Sequence, residues 1–201
     1  MMAVLFWVLL GFILGSIPFA VLMGKWIAGR DVRSVADGNP GGMNALRVGG
    51  VKAGAPAIVL DLAKGFVPVY LARRAGVEDW GLVPVCLAPA LGHAFSPFLK
   101  FRGGKALAAT GGAWLAVKGI GALLGYASLA LPFTLLQVED AWSANAGMVG
   151  LLLYAIWFGE PWLQVLAILN TMLIVYTHRH DLFRPSHFRP WVIRLFSGRG
   201  A

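Results

Sequence analysis

The run Val4-Leu5-Phe6-Trp7-Val8-Leu9-Leu10-Gly11-Phe12-Ile13-Leu14-Gly15-Ser16-Ile17-Pro18-Phe19-Ala20-Val21-Leu22-Met23-Gly24 decides the architecture of this chain. It carries no charge, and it is as long as the roughly 20 apolar residues that a helix needs to cross a hydrocarbon core about 30 Å thick. No basic segment precedes it and no small-residue cleavage site lies before Lys25, so it reads as a first helix and not as a targeting signal. The same character extends outward. The 201 residues are 58% hydrophobic and 13% charged, with a mean hydropathy of +0.72, whereas a soluble domain is roughly 45–50% apolar and 25% charged. An unsatisfied backbone group in lipid costs several kcal/mol, so the expected fold class is all-α, a polytopic membrane helical bundle.

Apolar runs between charges and breakers give seven expected spans, at 4–24, 52–72, 80–99, 105–118, 119–137, 143–158 and 162–177, within a single membrane-embedded domain over 1–201. Only Lys118 and Gly119 separate the fourth from the fifth. Seven spans put Lys25, Arg30, Arg33, Arg47, Lys52, Lys100, Arg102, Lys105 and the arginines from Arg179 to Arg199 on one side. Arg73, Arg74 and Lys118 fall on the other, and Lys64 stays inside a span. The positive-inside rule then sets the N-terminus outside and the C-terminus in the cytoplasm. A net charge of +8 gathered on one face suits anionic headgroups, and a chain this apolar is not expected to bind nucleic acid. The single cysteine, Cys86, offers no disulfide.

Three stretches carry chemistry. The first is Gly38-Asn39-Pro40-Gly41-Gly42-Met43-Asn44-Ala45-Leu46-Arg47, where two amides bracket a glycine turn and Arg47 follows Asn44 by one helical turn. The second runs from Gly92-His93 to Phe101-Arg102-Gly103-Gly104-Lys105. Glycine lets N–H groups converge on an oxyanion, and Lys or Arg supplies the full charge. Gly-Gly-Lys lacks the glycine spacing and following Ser/Thr of a Walker loop, and both stretches also read as plain helix breaks with positive-inside anchors. The third is Tyr176-Thr177-His178-Arg179-His180-Asp181, followed by Arg184. If the last helix continues, His178, Asp181 and Arg184 share a face. Asp61 and Lys64, at i and i+3 within a span, read as an internal ion pair.

Taken in order, these pieces resemble the acyl-phosphate-dependent glycerol-3-phosphate acyltransferases of the PlsY type. The resemblance runs from Leu14-Gly15-Ser16-Ile17-Pro18 through Asp31-Val32-Arg33, Gly38-Asn39-Pro40-Gly41, Asn44, Arg47, Asp61 and Lys64-Gly65. It continues at Gly92-His93, Phe98, Phe101 and Gly103-Gly104-Lys105, and closes at His178-Arg179. It implies a seven-helix enzyme of a bacterial-type inner membrane with its active site facing the cytoplasm. Its partners would be acyl phosphate, glycerol 3-phosphate and membrane lipids, and it would need neither cofactor nor metal. The reaction implied is acyl transfer from acyl phosphate to the 1-hydroxyl of glycerol 3-phosphate, giving lysophosphatidic acid and phosphate. An acyl phosphate is already an activated mixed anhydride, so positioning and charge would supply most of the rate.

The resemblance also assigns roles. Lys105 and the Gly103 and Gly104 amides would hold one phosphate and the carbonyl oxyanion, and Arg47 with Gly38, Asn39 and Asn44 the other phosphate. His178 and Arg179 would serve the acceptor, and Ser143 would lend a hydroxyl. The base would be a substrate phosphate or His178.

The chain departs from the pattern at Ala36-Asp37, where the family has Gly-Ser, at Ala106, where it has Gly, and at Asp181, where Asn is usual. A carboxylate about 4 Å from one phosphate charge costs on the order of 4 kcal/mol at an effective dielectric near 20. Nearby arginines, protonation of Asp37 or a bound Mg²⁺ would relieve it. The departures leave three alternatives to the acyltransferase: an altered or inactive paralogue binding a phosphorylated ligand, an anion or lipid carrier, and a phosphatase using His178 with Asp181.

Overall fold

The computed structural model describes residues 2–196, and Arg199, counted above with the cytoplasmic charges, lies outside them. The described residues form nine α-helices: α1 Met2–Ser16, α2 Phe19–Ala28, α3 Gly42–Arg74, α4 Leu82–Ala94, α5 Leu107–Lys118, α6 Ile120–Leu136, α7 Asp140–Phe158, α8 Pro161–Leu182 and α9 Pro190–Phe196. Short 3₁₀ turns lie at Val32–Ser34, Asp79–Gly81 and Pro97–Leu99. No strand occurs among the described residues, only an isolated bridge between Gln137 and Phe188. The chain forms two compact units, Met1–Gly119 and Ile120–Ala201.

Among the described residues, four stretches are long and apolar enough to cross a membrane: Met2–Ala28, Gly42–Arg74, Asp79–Leu99 and Asp140–Phe158. Of the other expected spans, α5 has 12 residues and α6 has 17. α8 is 22 residues long, with Gln164, Asn170, Thr171 and Thr177 among its apolar residues. Leu5, Phe6, Leu9 and Ile13 of α1 are exposed, as side chains facing lipid would be.

In the first unit, helices approach through small residues, as helices do where lipid removes the hydrophobic drive between them. Gly11 and Gly15 of α1 lie against Ala88 and Pro89 of α4, Gly65 of α3 against Ala109 of α5, and Gly112 of α5 against Leu62 of α3.

Two interruptions shape this unit. Pro18 separates α1 from α2 and has no N–H. The carbonyls beside it find partners far along the chain: Ser16 O accepts from Ser96 Oγ at 2.6 Å and Ile17 O from Lys64 Nζ at 3.0 Å. The second break is Gly50, whose φ of 59° takes it out of the helical region inside α3. The turns before it fold back, so that Gly42 meets Ile58 and Gly54 meets Leu46. Ala45 of the folded-back turns joins a buried cluster with Ala20, Val21, Val32 and Ala57, which anchors the loop between α2 and α3.

In the second unit, α6 and α7 interlock through Gly125 against Tyr154 and Gly147 against Tyr126. The segment after α8 returns to the end of α6. Val138 N–H donates to His187 O at 3.1 Å and Arg189 N–H to Leu136 O at 2.9 Å.

Candidate active site

The loop between α2 and α3 is built from the inside out. Buried Val32 pins it to the core. Next to it, Asp31 accepts from the Arg33 N–H at 3.0 Å and holds the Arg33 guanidinium at 2.7 Å, with Lys25 4.0 Å away. The Arg33 hydrogen bond holds the Asp31 carboxyl at about 2, against partial burial that opposes ionisation.

The chain then turns through Ala36 (φ 49°) and Gly38 (φ 70°), both left-handed. Asn44, in the first turns of α3, sends its amide into this turn, donating to Val35 O at 3.2 Å, Asp37 Oδ1 at 3.0 Å and Asn39 O at 2.9 Å. Arg47 donates to Asn44 Oδ1 at 2.7 Å, which fixes the orientation of that amide. Asn39 closes the turn with its own N–H on Asp37 Oδ1 at 3.1 Å.

The second loop returns on itself after α4. Phe101 N–H donates to Ser96 O at 2.9 Å, Gly103 N–H to Ala94 O at 3.0 Å and Gly104 N–H to His93 O at 3.0 Å. This corrects the expectation that the Gly103 and Gly104 amides point at a phosphate, because both are taken by backbone carbonyls of α4. Glycine is needed here for close approach. A Cβ on Gly103 would run into the His93 and Ala94 carbonyls, and one on Gly104 into the His93 ring. The lacing presents Lys105 just ahead of α5, whose N-cap is Ala106 at φ 61°.

The two loops meet where Lys105 Nζ stands 2.8 Å from Asp37 Oδ2, across 68 residues of sequence. Burial pushes the Asp37 carboxyl up, but the Lys105 hydrogen bond and charge, the Asn39 N–H and the Asn44 amide outweigh it and hold it at about 2. Asp37 is therefore ionised at neutral pH, and protonation gives no relief from repulsion. The side chains of the pair keep 26% and 23% of their exposure. A pair so open to water contributes about 0.2–1 kcal/mol.

Beneath the second loop lies a buried polar cluster. Asp61 Oδ1 is 2.7 Å from Lys64 Nζ and 3.7 Å from His93 Nδ1, all three nearly excluded from solvent. The expected Asp61–Lys64 pair is thus present, and His93 joins it to the underside of Gly104.

The remaining expected site residues lie in the second unit. α8 continues to Leu182, so His178, Arg179 and Asp181 are all helical. Buried His178 has Nδ1 2.9 Å from Ile174 O. A carbonyl only accepts, so Nδ1 carries a proton. Arg179 donates to Tyr176 O at 2.7 Å and stacks on the Tyr176 ring at 4.1 Å. Asp181 pairs with Arg184 at 3.4 Å.

Ser143 opens α7 and accepts from Gln137 Nε2 at 2.8 Å. Gln137 also donates to Glu139 O at 2.9 Å and accepts from Ser186 Oγ at 3.0 Å. Sequence reasoning missed this buried amide. One signal pointed to it: a glutamine closing an otherwise apolar helix.

With this geometry in hand, comparison with known proteins gives one answer. The family model for glycerol-3-phosphate acyltransferase matches residues 5–186. The chain belongs to that family. Among curated glycerol-3-phosphate acyltransferases, number 1 of Thermotoga maritima is 35% identical over 195 residues, covering 89% of this chain and 96% of the relative. That of Anaeromyxobacter dehalogenans is 37% identical over 183 residues, covering 87% and 89%. A crystal structure of PlsY, an integral membrane glycerol 3-phosphate acyltransferase, in its glycerol 3-phosphate form, aligns with a TM-score of 0.81 at 30% identity. The alignment covers 98% of this chain and 94% of that one. The lysophosphatidic acid form aligns with a TM-score of 0.79.

Proposed function

We propose that this chain transfers a fatty acyl group from acyl phosphate to the 1-hydroxyl of sn-glycerol 3-phosphate. The hydroxyl oxygen attacks the acyl carbonyl carbon and the bond from that carbon to the phosphate oxygen breaks. Inorganic phosphate leaves with the hydroxyl proton, and lysophosphatidic acid remains. The observation that carries the reading is the junction of Lys105 with the Asp37-Asn39-Asn44-Arg47 loop, in a chain whose relatives are named for this acylation.

In this reading Lys105 stabilises the carbonyl oxyanion and a phosphate, and Arg47, Asn39 and Asn44 hold the other phosphate around the Gly38 turn. Gly103 and Gly104 shape the loop that presents Lys105. His178 and Arg179 serve the acceptor, Ser143 lends its hydroxyl, and Asp181 restrains Arg184. The protein is a single catalytic domain with seven spans in the inner membrane, its N-terminus outside and its glycine-rich loops and C-terminus in the cytoplasm, as the distribution of lysine and arginine favours.

The test incubates purified protein with glycerol 3-phosphate and either acyl phosphate or acyl-CoA. Lysophosphatidic acid formed from acyl phosphate, and reduced about 10²–10³-fold in Lys105→Ala, is the expected result. Folded protein that gives no product with either donor would turn the assignment toward a paralogue that binds a phosphorylated ligand without transfer.

A further inference from the structure

The phosphate site proposed above, on which this inference rests, is filled by one of the chain's own side chains. Asp37 Oδ2 takes Lys105 Nζ at 2.8 Å, while Oδ1 takes the Asn44 amide at 3.0 Å and the Asn39 N–H at 3.1 Å. These are donors that the reaction assigns to substrate phosphate. A carboxylate and a phosphate make the same demand on them, since each offers anionic oxygens that only accept. An N–H group aimed at Asp37 is not aimed at a ligand, and two anions on one ammonium repel each other.

We propose that Asp37 is a substrate-displaced internal anion: it occupies the donors of both phosphate positions when no ligand is bound, and a substrate phosphate binds by taking Lys105, at one position, or Asn44, at the other, away from it. The physical terms favour such an exchange. The pair is partly exposed, so water and a ligand can reach it, and the released carboxylate can hydrate where it stands. A phosphate monoester brings a charge of about −1.5 to −2 at pH 7 against the single charge of the carboxylate, so Lys105 gains from changing partners. The exchange joins the two loops in one binding event, because the group that leaves belongs to the first loop and the group released to the second.

Calorimetric titration of the purified protein in lipid nanodiscs with glycerol 3-phosphate, and separately with inorganic phosphate, tests this. Asp37→Ser and Asp37→Asn are each expected to bind both ligands at least about tenfold more tightly than wild type. Misfolding does not raise affinity, so a gain is diagnostic; unchanged or weaker binding overturns the exchange.

A second measurement leaves the protein intact. With ¹³C-carboxyl aspartate, the wild-type resonance that is missing from Asp37→Asn is expected to shift on addition of phosphate, and a resonance that stays in place overturns the proposal. The catalytic reading stands or falls separately. Lysophosphatidic acid formation without a gain in affinity removes the exchange alone, and a gain without acyl transfer removes the catalytic assignment alone.

Discussion

The imidazole of His93 fills the space that a side chain at Gly104 would need. His93 also accepts the Gly104 N–H through its carbonyl and lies 3.7 Å from Asp61. The glycine loop therefore rests on a buried charged cluster, and the position of Lys105 depends on that contact.

Gly104→Ala forces the added methyl into the His93 ring. Overpacking of this kind costs about 1–3 kcal/mol. Because the loop can lift to relieve it, the expected result is a fall in kcat of at least about tenfold with a smaller loss of thermal stability. A full melting-temperature loss with unchanged kcat would mean that the loop does not move.

Asp37 and Asp31 both titrate at about 2, below the ordinary 3.8. A carboxyl depressed in the folded state contributes stability that is complete above about pH 4 and lost as pH falls toward 2. Each is expected to contribute on the order of 1 kcal/mol after solvent screening. Melting temperature followed from pH 6 to pH 2 should drop in that window, and less steeply in Asp31→Asn. An Asp31→Asn curve parallel to wild type would remove Asp31 from the account.

Ala36 and Ala106 hold φ of 49° and 61°, where the family pattern has glycine. The left-handed conformation costs a residue with a Cβ about 1–2 kcal/mol. Ala36→Gly or Ala106→Gly should therefore raise thermal stability, partly offset by the greater freedom of glycine in the unfolded chain. A lower melting temperature for both would show that the turns carry no strain.

Asp61→Asn leaves the Lys64 ammonium buried with the Ile17 carbonyl and no counter-charge. Breaking a buried pair in this way costs about 3–5 kcal/mol. Asp61→Asn with Lys64→Met should recover most of it, as read by thermal unfolding in detergent. A double variant no better than the single would assign the loss to packing.

Much of this was legible in the chain. The uncharged run from Val4 to Gly24 announced a membrane protein, and the i, i+3 spacing of Asp61 and Lys64 announced their pair, because both signals are local. The break inside α3 falls at Gly49-Gly50, just ahead of the span expected from 52, but the fold-back of the preceding turns was not legible, since it rests on the φ of one residue. The partner of Asp37 was hidden by distance, because Lys105 arrives through the folding of α3 and α4. The Gly-Gly motif carried two readings for a related reason. Glycine admits both an amide that faces a ligand and a backbone pressed against a neighbour, and sequence does not separate the two.

The Pro18 break carries a consequence for biogenesis. The Ile17 carbonyl has a local partner in the Phe19 N–H besides Lys64, but the Ser16 carbonyl takes Ser96 Oγ, a group that does not exist when the first helix leaves the ribosome. One uncapped carbonyl in hydrocarbon costs several kcal/mol. Full satisfaction of the break at Pro18 therefore waits until the chain has been made past α4, so that the end of the first helix and the start of the second glycine loop complete one another.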